Sequence, residues 1–127
     1  VHHGTAQGTD VDFLSAVDPE VAIICNGNYL GNKHGHPTPK ALSNLYQYDQ
    51  LMKVYAICGG GTIDGVVNES NGTYKCSSED RFQDRNGLIT VIIDNNGYQL
   101  SSEYYGDNIL EIKDTTYFKA IEENGLL

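Results

Sequence analysis

The chain predicts an α/β fold, with helices packed on strands. Three observations carry that reading. Helix and strand signals alternate through the first half, and an apolar run of strand length follows each helix. In the second half, Asp94-Asn95-Asn96-Gly97 sits between two apolar runs as a hairpin signal. The length of 127 residues suits one domain, or a large piece of one.

Thr9 is placed to cap a short helix over Asp10 to Val17, with acid in its first turn where the helix dipole favours it. Phe13, Leu14 and Val17 form its apolar face, and Asp18-Pro19 ends it. Val21-Ala22-Ile23-Ile24-Cys25 reads as a central strand buried on both faces, with Cys25 as a buried thiol. A loop rich in turn formers runs from Asn26 to His36. Thr38 then caps a second helix, with Pro39 at its first position and Leu42, Leu45 and Tyr46 on one face. That helix should run to Asp49 or Met52. Lys53 to Cys58 is the next strand, stopped by Gly59-Gly60-Gly61. Two weak strand runs flank Asn71-Gly72, and the charged stretch from Ser77 to Arg85 reads as an exposed loop. Leu88 to Ile93 pairs with Tyr98 to Leu100, Asn96-Gly97 supplying the positive φ of a tight turn. A short strand around Ile109 to Ile112 and a terminal helix, opened by Asp114 and closed by Gly125, complete the chain.

Eight Lys and Arg against 17 Asp and Glu give a net charge of −9, a field that repels nucleic acid and anionic lipid. Phosphate chemistry would therefore need a local feature, such as a metal ion, to override the global sign. No apolar run approaches the roughly 20 residues that span a bilayer, so no membrane contact is expected of this segment. No signal-peptide pattern follows Val1. The cysteines Cys25, Cys58 and Cys76 are odd in number and form no C-x-x-C pair, which argues against a closed disulfide framework.

Chemistry-bearing residues concentrate at the front, since every histidine lies at or before position 36. His2-His3-Gly4 has the composition of a metal-ligating turn, because imidazole binds zinc and glycine lets the backbone approach closely. The same three residues also suit an exposed histidine pair or the end of a purification tag. His34-Gly35-His36-Pro37 stands at a helix start, where an anion is favoured, and equally suits a pair of solvated loop histidines. Taken together, two His-Gly motifs beside strand ends point to one shared site. Gly59-Gly60-Gly61-Thr62 lacks the spacing of a phosphate-binding loop, and no nucleophile elbow is present.

The combined string H-H-G-T-x7-F-L-x2-V-x-P-x-V-A-I-I-C-x-G-N-x5-H-G-H-P-T-P-x2-L resembles the C-terminal part of the metallo-β-lactamase fold in the ComEC-type competence-protein family. The resemblance is dense over residues 1–45, loose over 53–100 and absent from the tail. It implies the C-terminal half of an αβ/βα sandwich, spanning 1–127, with the metal-site and GHP-loop segment at 1–52 and terminal strands, hairpin and helix at 53–127. It further implies a metal-dependent hydrolase, phosphodiesterase or nuclease-like, acting in DNA uptake. The cofactor would be zinc or another divalent metal, one or two ions in the complete domain. On this resemblance His3 is a metal ligand, His2 lines the site beside it, and His36 faces the cleft and contacts substrate phosphate.

Two departures from the family pattern matter. Thr5 stands where the family has serine, and the family's H-x-H-x-D-H cluster, which belongs upstream, is not in this chain. A catalytic zinc normally takes three protein ligands. The chain is therefore expected to be inactive alone and to need the missing N-terminal half of the domain as partner, with DNA or another phosphodiester as substrate of the whole. The rival expectation is a non-catalytic binding or structural module that retains half of a hydrolase fold. Half a sandwich would leave Val21 to Ile24 and Leu88 to Ile93 partly uncovered.

Overall fold

The computed structural model describes residues 3–26, 36–58, 67–68, 73–74, 84–125 and 127. After a 3-10 turn at Ala6–Thr9 come helix α1 (Val11–Val17), strand β1 (Val21–Ile24), helix α2 (Pro39–Tyr48) and strand β2 (Lys53–Ala56). β1 and β2 pair in parallel, Val21 opposite Lys53 through Ile24 opposite Ala56. A parallel pair needs a crossover connection, and α2 supplies it. The mixed α/β class expected from the alternating pattern is what forms.

Local chemistry places α2 as expected. Thr38 Oγ1 accepts the Ala41 N–H at 3.2 Å, and Pro39 opens the helix. The helix ends at Tyr48, where Asp49 turns extended. α1 differs from expectation in its cap. Asp10, not Thr9, accepts the Phe13 N–H at 2.8 Å. Thr9 is instead buried in the 3-10 turn, its hydroxyl donating to the carbonyls of Thr5 and Ala6. Of the expected apolar face only Leu14 is buried, because Phe13 and Val17 line an open cavity against β1.

β1 also departs from the doubly buried strand. Successive strand residues point to opposite faces. Ile24 enters the core and Ala22 packs against it, while Ile23 on the other face is 37% exposed. Cys25 lies beyond the strand and is exposed, so the expected buried thiol is not found. Apolar composition alone could not show that one face lacks a cover among the described residues.

In the second half, β3 (Val67–Asn68) and β4 (Thr73–Tyr74) pair antiparallel on either side of Asn71-Gly72. The glycine run 59–61 and the expected loop over 77–83 lie outside the described residues. Strands β5 (Ile89–Asp94) and β6 (Gly97–Ser102) make the expected hairpin. Its turn is Asn95-Asn96 rather than Asn96-Gly97, since Asp94 pairs with Gly97. Positive φ falls on Gly97 alone, at 120°, and Asp94 Oδ1 secures the turn by accepting the Asn96 N–H at 2.7 Å.

The expected strand around Ile109 to Ile112 reduces to one antiparallel bridge, Tyr55 to Glu111, followed by a 3-10 turn at Ile112–Asp114. Helix α3 (Thr116–Glu123) is capped by Thr115, whose Oγ1 accepts the Phe118 N–H, and not by Asp114. Asp114 is held in the preceding 3-10 turn, leaving Thr115 as the first extended residue before the helix. Gly125, at φ 69°, follows the helix end as expected.

One core joins both halves: Leu14, Ile24, Leu42 and Leu45 meet Val54, Ile112, Tyr117 and Ile121. Asn86 ties the hairpin base to this core. Its buried Nδ2 donates to the carbonyls of Ala56 and Leu110, each at 2.9 Å, and its Oδ1 accepts the Leu110 N–H at 2.9 Å.

Candidate functional site

The two histidine motifs meet at the carboxyl ends of β1 and β2. Gly4 adopts φ 84°, and a Cβ built on it would lie 2.7 Å from Pro37 Cβ, so only glycine fits there. Its carbonyl accepts the Thr38 N–H at 3.0 Å. Gly4 is thus packed and hydrogen-bonded onto the Pro37-Thr38 turn that opens α2. Through this contact the backbone after His3 and the turn after His36 lie together. His2 and His34 lie outside the described residues.

His3 is exposed and has φ 50°, a left-handed conformation uncommon for a non-glycine residue. Its Nδ1 lies 2.6 Å from the Cys25 carbonyl oxygen. A carbonyl oxygen only accepts, so Nδ1 carries the hydrogen and donates it. A metal-binding imidazole is held in this way, one nitrogen donating to a fixed acceptor while the other ligates. His3 is thus an imidazole whose ring is oriented by a backbone carbonyl. Among the described residues no three His, Cys, Asp or Glu gather into a cation site, so a complete metal centre is not formed by them.

His36 is half-buried and joined to Pro37 through a cis peptide bond. Two residues that sequence reasoning did not single out hold this turn. Asn26, buried just beyond β1, donates from Nδ2 to the Cys58 carbonyl at 2.9 Å and to the His36 carbonyl at 3.4 Å. Its Oδ1 accepts the Cys58 N–H at 3.1 Å, so one side chain links the ends of both strands to the histidine turn. Tyr117, on α3, donates its hydroxyl to the Pro37 carbonyl at 2.6 Å. Asn26 could have been noticed as the first polar residue after an apolar strand. Tyr117 could not, because its partner is 80 residues away in sequence.

Behind the turn lies an apolar cavity of about 230 Å³, bounded by Gly4, Leu14, Ile24 and Leu45 among others. Among the described residues its lining is apolar apart from Thr9, with no titratable side chain. The nearby Cys58 thiol is pushed up from its ordinary pKa by burial, partly offset by the Arg85 charge, which disfavours it as a thiolate nucleophile. Compared with protein-family models, with characterised proteins and with solved structures, the chain matches none.

Proposed function

We propose that the chain is the C-terminal part of a metal-dependent hydrolase, phosphodiesterase or nuclease-like and related to the competence proteins of DNA uptake, built on half of a metallo-β-lactamase αβ/βα sandwich. One observation supports this most: Gly4 packs on Pro37 and bonds to Thr38, joining the two histidine motifs at the strand ends. In this reading His3 would hold a divalent metal, its ring oriented by the Cys25 carbonyl. The metal, zinc or a similar ion, supplies Lewis-acid activation of water when bound. His36 would orient the substrate phosphate from its turn, and His2, the neighbour of His3 in sequence, would assist at the site. Asn26 and Tyr117 keep the His36 turn in register with the strands. The remaining ligands come from the N-terminal half.

The chain's net charge of −9 would repel a nucleic acid substrate, so the cation is needed for attraction as well as for chemistry. The test lies in the coding sequence upstream of Val1. It should contain H-x-H-x-D-H, and the joined domain should cleave a phosphodiester with added divalent metal and stop with chelator. An upstream region without that cluster, joined to a chain that never hydrolyses a phosphodiester, overturns the reading in favour of a non-catalytic module.

A further inference from the structure

Strand β1 and the β5–β6 hairpin face each other across an open groove of about 620 Å³. Val21 and Ile23 form one wall, and Val91, Ile93 and Leu100 form the other. Among the described residues nothing fully covers them: Val91 is 44% and Ile93 78% exposed, while Val21 and Leu100 are half-buried. Among the described residues the charged lining is all acid, Asp18, Glu20 and Asp94, with no Lys, Arg or His. Two of these acids are held in place. Tyr48 donates its hydroxyl to Asp18 Oδ1 at 2.7 Å, and Tyr98 donates to Glu20 Oε2 at 3.0 Å. A carboxylate has further acceptor sites beyond one such bond.

We propose that this groove docks a segment of a partner polypeptide in which apolar side chains are interleaved with Lys or Arg. The apolar floor is water-exposed surface that an apolar occupant would cover. The acid rim selects among such occupants. A neutral segment would strip water from three carboxylates without pairing them, and an acidic one would add like charge to the contact. A basic segment pairs with them and is steered in by the chain's net charge of −9. A second copy is disfavoured on the same ground, since it would bring a like-charged molecule and the same carboxylates to the contact. The groove shares no residue with the histidine site, but Val21, Ile23, Val91 and Ile93 are among those that the half-sandwich reading leaves for an N-terminal half to cover, so the inference holds for a fold in which they stay open.

The probe is a short fluorescein-labelled peptide of alternating Val and Lys, titrated with the chain at about 50 mM salt and followed by anisotropy. Saturable binding is expected, with no binding of the peptide that carries Glu for Lys. The variant Asp18→Asn/Glu20→Gln/Asp94→Asn keeps acceptors for both tyrosines and should weaken binding about tenfold or more. Val91→Ser/Ile93→Ser should do the same through the floor. The control Asp107→Asn/Glu122→Gln/Glu123→Gln removes equal charge outside the groove and should change affinity less than about twofold. Circular dichroism confirms that each variant remains folded. Equal weakening by rim and control variants would reduce the effect to net charge and overturn the proposal. So would the absence of binding, or sedimentation showing a dimer that Ile93→Ser dissolves, which would assign the groove to a second copy.

Discussion

At the scale of single residues, Gly4 carries the geometry on which the site depends. Gly4→Ala would place a methyl group 2.7 Å from Pro37 Cβ and 2.9 Å from Pro37 Cα, in a backbone conformation with φ 84°. Strain and overpacking together should cost about 2–3 kcal/mol, read as a lower urea midpoint. A loss below about 0.5 kcal/mol would mean that the two histidine turns are not in tight contact. Glycine beside two histidines was readable in the sequence as a place of close backbone approach. The exposure of Cys25 was not, because the same apolar run suits a strand covered on one face or on two. The orientation of the His3 ring was equally hidden, since it depends on a carbonyl 22 residues away.

At the scale of elements, legibility follows the range of the interactions that define each one. α2 is readable because its cap, its proline and its apolar stripe are all local. The hairpin is readable for the same reason, although the turn shifts by one residue once the Asp94 side chain claims the Asn96 N–H. The Tyr55–Glu111 bridge depends on a pairing across the whole domain, and local pattern could not distinguish it from a strand. α3 has a role that its amphipathic pattern does not disclose, since Tyr117 is 1% exposed and braces the Pro37 carbonyl. Tyr117→Phe should cost about 1–2 kcal/mol by leaving that carbonyl short of a donor. Amide exchange at Thr38 should quicken while exchange in β5 and β6 stays unchanged. Unchanged stability and unchanged exchange at Thr38 would show that α3 does not hold the turn.

At the scale of the whole molecule, one core joins the parallel unit to α3, and the α/β class was legible because helix and strand periods alternate. Which sheet faces stay open was not legible in the apolar pattern, because that depends on what packs over them; the resemblance alone led to the expectation of uncovered residues in Val21 to Ile24 and Leu88 to Ile93, where Ile23, Val91 and Ile93 are exposed. The core also sets an alkaline limit on stability. Tyr46 packs edge-to-face on Phe118, with centroids 5.5 Å apart. Its hydroxyl is held well above the ordinary tyrosine pKa of 10.0, first by burial and then by the Glu111 carboxylate. The fold accommodates the neutral phenol, so the associated stability is complete below about pH 10 and lost as pH rises through the raised value. Urea midpoints measured above that pH should fall more steeply in the native chain than in Tyr46→Phe, and identical slopes would contradict this burial. The hydrolase reading itself turns on the division of labour between His3 and His36. The most direct measurement is the metal content and phosphodiesterase turnover of the full-length protein carrying either His3→Ala or His36→Ala. His3→Ala should lose metal and turnover together, as a lost ligand does. His36→Ala should keep its metal and lose turnover by about 2–4 kcal/mol in activation free energy, the scale of a donor that acts on developing charge. Equal metal loss in both variants, or full metal retention in His3→Ala, would contradict the assignment.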